Sequence, residues 1–218
     1  STTGGAYAQE YKPNSGDYVI VSKINEDNVP QIVEACLKYG IDQVDIHKGD
    51  NTHRPGDFHF YNTETGTAKE YYEKYGKQFE KAGILTGLHT YAYYIDYTAS
   101  GILSDPKWLK DLETLEEYTL RKDVSKTDRN IPTVENASGF SLSTGFFVKN
   151  SPYILIDNEI MRVGSRSASG LLNVKRGSCG TAPAEHKEGA RIKHLSGYFN
   201  LFTPVLGSEL FYHVADLT

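Results

Sequence analysis

The stretch KAGILTGLHTYAYYID, residues 81–96, changes character halfway along its length. Its first half is apolar with spaced glycines, and its second half carries His89, Tyr91, Tyr93 and Asp96. A strand of a parallel sheet is buried along most of its length, and ligands bind at its carboxyl end. The stretch therefore predicts a buried parallel strand whose end contributes to a binding site.

Two similar strands precede this one. Residues 17–24 form a short β-branched run, and the amphipathic segment after it stops at Gly40, as a helix does. Residues 41–50 are the second predicted strand, and a second helix is predicted over residues 67–82 before the third strand begins at Ile84. Strands separated by helices pair in parallel through right-handed crossovers. The predicted fold class is therefore α/β, a partial (β/α) TIM-barrel-like domain.

The pattern changes near Leu112. From there to residue 195 the chain consists of short strand-length runs separated by Gly, Asn and Ser, without a helical period. We expect three domains: residues 1–111 as the first three βα units of a barrel, residues 112–195 as an inserted small antiparallel β module, and residues 196–218 as a truncated return to the barrel. A complete barrel needs eight such units in about 250 residues. The remainder of the barrel is therefore expected from a longer chain.

Composition excludes several classes of partner. The 218 residues include 23 Lys and Arg against 28 Asp and Glu, a net charge of −5. This balance, without any basic run, argues against nucleic-acid binding. No apolar run approaches the roughly 20 residues of a membrane span. Cys36 and Cys179 are not expected to form a disulfide, and 16 tyrosines favour the aromatic surfaces on which sugars stack.

Polar and aromatic side chains gather at the ends of the second and third predicted strands. Alternate residues of a strand share one face, so Asp45 and His47 point the same way, and His89 and Tyr91 do likewise. The loop between them adds Asp57. We predict that these five residues bind the substrate. Further candidates in the same loop are Lys48, Asp50, His53, Arg54 and His59.

Three interpretations of this group stay open. His47 and His89 would be hydrogen-bonded structural groups if the tyrosines only fill space. Asp45, His47, His53 and His89 are all metal-ligand types, but their spacing matches no ligand motif. A carbohydrate site needs planar rings for stacking and charged groups for paired hydroxyl bonds, and the group supplies both. We expect a carbohydrate site without metal or cofactor.

The run GDFHFYNTETGTAKEYYEKYGKQFEKAGILTGLHTYAYYI, residues 56–95, resembles the second-to-third strand region of α/β-barrel glycoside hydrolases, particularly the α-galactosidase-like group. It is also similar to barrel proteins of polysaccharide-degrading bacteria that carry a β insert. The resemblance implies a polysaccharide or oligosaccharide substrate and an extracellular or periplasmic location. The matching positions are Gly56, Asp57, Asn62, Gly83 and Gly87.

A second resemblance covers residues 153–192. The run YILIDNEIMRVGSRSASGLLNVKRGSCGTAPAEHKEGARI is similar to a β module of phage tail and extracellular proteins. Its glycines suit turns, and Glu159, Arg176 and His186 are suited to tying a loop down, so we expect a structural role for them. The matching positions are Asp157, Glu159, Arg176, Gly177, Gly180, Thr181, His186 and Gly189.

The catalytic residues of the implied hydrolase stay unidentified. Glycoside hydrolysis uses two carboxylates held about 5 to 9.5 Å apart. In the resembled family these lie on later barrel strands that this sequence does not contain. We therefore expect a fragment of a carbohydrate-active enzyme, a glycoside hydrolase as the full-length parent, with the fragment itself inactive. The alternative is a non-catalytic carbohydrate-binding or cell-surface interaction protein in which the β module is the working part.

Overall fold

The computed structural model describes residues 17–22, 24–47, 54–58, 70, 72–89, 91, 93–145 and 148–217. These residues form two compact units. The first unit contains the described residues up to 54 and those from 58 to 91, and the second contains residues 55–57 and 92–217.

The first unit is a three-stranded parallel sheet with helical segments between its strands. The strands lie in the order β1-β2-β3, and both neighbouring pairs are parallel, as predicted for this part of the chain. The elements are β1 (Tyr18–Val21), α1 (Val29–Tyr39), β2 (Gln43–His47), a π-helical turn (Tyr72–Gly76), α2 (Lys77–Lys81) and β3 (Leu85–His89).

The core of the first unit is formed by the alternating apolar residues of β2 and by the apolar faces of helices α1 and α2. Val44 and Ile46 alternate along β2 and are fully buried, together with Phe79 of α2. Helix α1 contributes Cys36, and it ends at Gly40, which has a left-handed backbone with φ of 69° and donates its N–H to the Cys36 carbonyl. A glycine suits this position because a Cβ is strained there. One face of the sheet is thereby covered by helices.

The second unit consists of small antiparallel sheets. Their strand orders are β5-β11-β7-β8, β6-β10-β9 and β12-β13-β4, and every pair within them is antiparallel. The elements are β4 (Ile95–Asp96), α3 (Ser100–Leu103), α4 (Pro106–Leu109), β5 (Thr114–Thr119), β6 (Ile131–Pro132), β7 (Tyr153–Ile156), β8 (Glu159–Arg162), β9 (Ser165–Ser167), β10 (Gly170–Leu172), β11 (Arg191–Leu195), β12 (Gly197–Tyr198), β13 (Leu201–Phe202) and α5 (Glu209–Asp216).

The four-stranded sheet has an apolar core on one face, and its other face combines aromatic packing at Tyr153 with the charged side chains of Arg191 and Lys193 on β11. One face packs into a single aliphatic and aromatic core. On the other face a ring cluster forms, with Tyr97 4.5 Å from Tyr153 and 4.3 Å from Phe202 between ring centroids. The core on the first face consists of Tyr118, Leu120, Val124, Ile131, Ala137, Phe140, Ile154, Ile156, Met161, Val163, Leu171, Val174 and Ile192.

The predicted fold class, an α/β partial TIM-barrel-like domain, is wrong. The chain is mainly β, with 31% strand against 23% helix, and most of its strands belong to small antiparallel sheets. Among the strands of the described residues, parallel pairing is found in β1, β2 and β3. The local βα pattern is real, but it covers too little of the chain to set the fold class, and no barrel forms from it.

The strand-rich character predicted for residues 112–195 is present. Between residues 120 and 190, the described part of the chain contains no α-helix, only the 3-10 turn Ala137–Gly139. The division between compact units lies near residue 91, however, whereas the sequence pattern changes near residue 112. Residues 92–111 and 196–217 therefore belong to the same unit as the β module.

Two further observations bear on chemistry and location. Cys36 and Cys179 are both free thiols, as expected. Burial raises the pKa of each thiol, to about 12 for Cys179, so neither is an activated nucleophile. None of the described helices has the length and apolar character needed to cross a bilayer.

Candidate functional site

The polar face of β2 is the centre of the candidate site. Val44 and Ile46 point into the helix-covered core, so Gln43, Asp45 and His47 share the opposite face and are half-buried. The parallel register pairs Asp45 with Gly87 and His47 with His89 on β3. His47 and His89 therefore occupy paired positions on adjacent strands. The predicted meeting of their side chains at one edge of the sheet stays a prediction, because the side chain of His89 lies outside the described residues.

Asp45 lies over the neighbouring strand at a point where that strand has no side chain. A Cβ at Gly87 would collide with the Asp45 carboxylate. The Nε2 of Gln43 donates a hydrogen bond to Asp45 Oδ1 at 2.9 Å and orients the carboxylate. The sequence analysis missed Gln43, although its place two residues before Asp45 already puts it on the same strand face.

His47 and Tyr91 form a direct side-chain pair. The imidazole Nε2 and the phenol oxygen are 3.2 Å apart, and the rings meet edge to face with centroids separated by 5.6 Å. Tyr91 has a left-handed backbone with φ of 48°, which is uncommon for a residue with a Cβ and is typical of functional positions. Tyr91 lies two residues beyond the end of β3, and its phenol contacts His47 at the end of β2.

The structure does not place the other predicted site residues beside Asp45 and His47. The backbone of His89 is placed in β3, but its side chain lies outside the described residues, as do Lys48, Asp50, His53 and His59. Asp57 belongs to the second unit, in the turn Pro55–Asp57. The structure therefore brings together Asp45, His47 and Tyr91 in the first unit.

Asp96, a candidate acid just beyond the third predicted strand, is a structural group. It is fully buried in β4. Its Oδ1 accepts hydrogen bonds from the backbone N–H and the hydroxyl of Thr98, at 2.9 and 2.7 Å, and its Oδ2 accepts one from Asn200 at 2.8 Å. These contacts tie β4 to the β12–β13 connection.

A buried ionic cluster in the second unit confirms the structural reading of the motif around Glu159. The carboxylate of Glu159 accepts hydrogen bonds from the guanidinium of Arg176 and from the backbone N–H groups of Gly177 and Ala184, at 2.8 to 2.9 Å. His186 contacts Glu159 through Nε2 at 2.9 Å and Asp157 through Nδ1 at 2.7 Å. The cluster holds the loop after Lys175 against the start of β8.

The ionisation of this cluster follows from its contacts. Burial alone would raise the pKa of Glu159, but hydrogen bonds from His186, Arg176 and two backbone N–H groups lower it to about 2. Burial alone would lower the pKa of His186, but its contacts with Glu159 and Asp157 raise it above the ordinary value of 6.5. Both ring nitrogens of His186 face carboxylates, which favours the imidazolium.

A metal was the second interpretation of the strand-end residues. In the described part of the chain, no three His, Cys, Asp or Glu side chains come together in an arrangement suited to a metal ion. Of the four candidate ligands, His53 and the side chain of His89 lie outside the described residues.

Comparisons with protein-family models, with curated proteins and with solved structures find no match. The resemblance to barrel glycoside hydrolases therefore stays a prediction.

Proposed function

We propose that the first unit binds a carbohydrate at the carboxyl edge of its parallel sheet, as part of a carbohydrate-active protein. The observation that carries the proposal is the His47–Tyr91 pair, an imidazole and a phenol in edge-to-face contact where β2 ends. Ligands of open parallel sheets bind outside the carboxyl ends of the strands. A paired ring system with polar atoms suits a sugar, which presents apolar C–H faces and hydroxyl edges.

Asp45 adds the charged partner that sugar hydroxyls favour. An ionised carboxylate forms shorter and stronger hydrogen bonds than a neutral acceptor does. Gln43 and the bare backbone at Gly87 hold Asp45 on the same face of β2 as His47. A pyranose over the strand ends would therefore meet a ring pair on one side and a carboxylate on the other.

The finer form of the proposal is a glycoside hydrolase acting on a polysaccharide or oligosaccharide outside the cytoplasm, extracellular or periplasmic. It rests on the resemblance of residues 56–95. Hydrolysis needs a second carboxylate about 5 to 9.5 Å from the first. Asp45 is the only carboxylate on strands β2 and β3. The described site therefore supports sugar binding, and the hydrolysis step rests on the resemblance alone.

The binding proposal is tested by affinity electrophoresis and calorimetry of the 218-residue chain with soluble galactomannan, xylan and dextran. We expect His47→Ala and Asp45→Asn to weaken binding about tenfold or more, because each removes a polar contact to the ligand. Tyr91→Phe keeps the ring and loses the hydroxyl, so its effect should be smaller. Tyr39→Phe is the matched control, since Tyr39 is 70% exposed on α1.

Two results would overturn the proposal. One is the absence of binding to all three polysaccharides by the unmodified chain. The other is an unchanged affinity at the first-unit site, followed through the ¹⁹F resonance of 3-fluorotyrosine at Tyr91, in His47→Ala and Asp45→Asn variants that circular dichroism shows to be folded.

A further inference from the structure

A second group of polar and aromatic side chains lies beside the β12-β13-β4 sheet of the second unit. We call it the Lys149 cluster; it consists of Tyr94, Glu113, Lys149, Ser196, Tyr198 and Thr203. None of these residues belongs to the His47–Tyr91 site or to the buried cluster around Glu159. An ion pair, a ring contact and backbone hydrogen bonds link them within the second unit.

An ion pair forms the charged part of the Lys149 cluster. Lys149 Nζ lies 2.6 Å from Glu113 Oε1, and the two side chains are 49% and 29% exposed. The hydrogen bond to Glu113 raises the pKa of Lys149, and the nearby phenols of Tyr198 and Tyr94 add to this effect. The pair thus presents one fixed donor and one fixed acceptor of opposite charge, both reachable from solvent.

Two tyrosine rings stand beside this ion pair. Tyr94 and Tyr198 are half-buried and meet edge to face, with ring centroids 5.5 Å apart and planes at 89°. Burial raises the pKa of the Tyr94 phenol, and so does the neighbouring Tyr198. Each ring supports the other, so the rings lose little freedom when a ligand packs against them.

The strand register places two hydroxyl groups on the same face of the sheet as these rings. Gly197, Phe202 and Ile95 pair across β12, β13 and β4. Their sequence neighbours therefore point to the opposite face. Those neighbours include Ser196, Tyr198, Thr203 and Tyr94.

Hydrogen-bonding capacity is left unused at the base of the Lys149 cluster. Glu113 donates its backbone N–H to the Thr203 carbonyl at 2.8 Å and accepts the Ser196 N–H at 2.8 Å, which brings the three residues together. Yet Glu113 Oε2, Ser196 Oγ and Thr203 Oγ1 are buried and make no hydrogen bond to any described protein atom. Buried polar atoms rarely stay unpaired, so a water molecule or a hydroxyl group that enters beside them would find hydrogen-bond partners there.

We propose that the Lys149 cluster is a second saccharide-binding site, one that holds a vicinal diol of a sugar ring. One diol hydroxyl would donate to the Glu113 carboxylate, and its neighbour would accept from Lys149 Nζ. The ring face of the sugar would pack against Tyr94 and Tyr198. Charge-assisted bonds to a fixed donor and acceptor pair favour two adjacent hydroxyls.

The charges of the Lys149 cluster argue against an ionic ligand. Glu113 and Lys149 cancel one another, so a phosphate or carboxylate gains from the ammonium and loses from the carboxylate. A neutral ligand with adjacent hydroxyls uses both groups. A sugar fits better than a peptide, because the site offers two tyrosine rings on which a sugar ring can pack.

The experiment uses the full chain labelled with 3-fluorotyrosine and observed by ¹⁹F NMR. Tyr94→Phe and Tyr198→Phe assign the two resonances of the Lys149 cluster, and Tyr91→Phe assigns the reporter of the first-unit site. Dextran and xylan are the probes, because both carry vicinal diols. Dextran that has been oxidised with periodate and reduced with borohydride is the matched control, since this treatment cleaves the diols and keeps a soluble polymer.

We expect dextran or xylan to shift the Tyr94 and Tyr198 resonances saturably, and treated dextran to leave them unchanged. Lys149→Met and Glu113→Gln should each raise the Kd about tenfold or more. Lys187→Met should leave it unchanged, because Lys187 forms an exposed ion pair with Asp123 elsewhere in the unit. Since Tyr91 reports the first-unit site separately, failure of one site is distinguished from failure of the other.

The proposal is overturned if neither probe moves the Tyr94 and Tyr198 resonances, or if treated dextran moves them as strongly as dextran does. It is equally overturned if folded Lys149→Met and Glu113→Gln variants bind with the Kd of the unmodified chain. Thermal unfolding of each variant checks folding. If the charge variants unfold, Tyr198→Ala, which removes a ring against which the sugar packs, should raise the Kd measured at Tyr94, and an unchanged Kd would overturn the proposal.

Discussion

The guanidinium of Arg176 donates two hydrogen bonds to the carboxylate of Glu159, from Nε to Oε1 at 2.9 Å and from Nη2 to Oε2 at 2.8 Å. Both side chains are almost completely buried, with exposed fractions of 7% and 0%. The same guanidinium donates from Nη1 to the carbonyls of Ser125 and Asp128. One side chain therefore joins β8 to the turn at residues 125–128 of the second unit.

Arg176→Met should destabilise the second unit severely. The substitution leaves the Glu159 carboxylate buried without its main counter-ion, a change that costs about 3–5 kcal/mol in comparable sites. Urea unfolding followed by tryptophan fluorescence measures the effect, since Trp108 belongs to the same unit. Lys187→Met, which breaks only an exposed ion pair, should unfold at the same urea concentration as the unmodified chain. Equal stability of the two variants would contradict the structural role of Arg176.

The free energy of unfolding of the second unit should decrease both at acid pH and at alkaline pH. The pKa of His186 is raised in the folded chain, so its contribution is complete below about 6.5 and is lost as the pH rises through the folded-state value. The pKa of Glu159 is lowered to about 2 from 4.5, so its contribution is complete above about 4.5 and is lost as the pH falls toward 2. Stability is therefore expected to be greatest between these limits.

Urea unfolding at pH values from 3 to 9 measures this profile. His186→Gln removes the group that titrates above pH 6.5, so the decline on the alkaline side should flatten while the acid side keeps its slope. An alkaline decline of unchanged size in His186→Gln would show that another group is responsible.

Gly87→Ala should displace the Asp45 carboxylate and leave the first unit folded. The new Cβ meets the end of a side chain, which can move, rather than backbone. The ¹³C resonance of the Asp45 carboxyl, assigned through Asp45→Asn, should shift in the variant. Gly101→Ala is the control, because a Cβ there meets nothing within 4 Å. An unchanged Asp45 resonance would show that the carboxylate does not lie against Gly87.

The 218-residue chain should bind sugar without hydrolysing it. Strands β2 and β3 contain one carboxylate, Asp45. Glycoside hydrolysis requires two carboxylates that flank the scissile bond. Release of nitrophenol from aryl galactosides, fucosides and glucosides measures turnover directly. Steady hydrolysis by the purified chain that Asp45→Asn abolishes would make Asp45 a catalytic residue and reverse this expectation.

Several local features were predictable because short-range physics determines them. The apolar alternation of β2 and the stop of α1 at Gly40 depend on neighbours along the chain, and both are present. Parallel pairing of β1, β2 and β3 followed from the helical segments between them. The pairing of Glu159 with Arg176 and His186 was predicted, because these residue types form ion pairs that can hold a loop in place.

The fold class was not predictable from the same local patterns. A βα repeat in the first hundred residues predicts further repeats, but the packing of the later strands was decided by contacts between segments far apart in the chain. The second unit unites β4 with β13, which lie a hundred residues apart, and Asp96 becomes a buried structural group because Asn200 reaches it. A carboxylate at a strand end looks the same in the sequence whether it binds a ligand or a loop.

The sequence by itself determined where strands and turns form and which strand ends carry polar side chains, since backbone geometry and burial periodicity act over a few residues. Only the tertiary structure decided which of those side chains meet. Tyr91 reaches His47 through a left-handed backbone after β3, and Glu113 reaches Lys149 across 36 residues. Such pairs depend on strand register and on the close approach of distant segments, which no local pattern encodes.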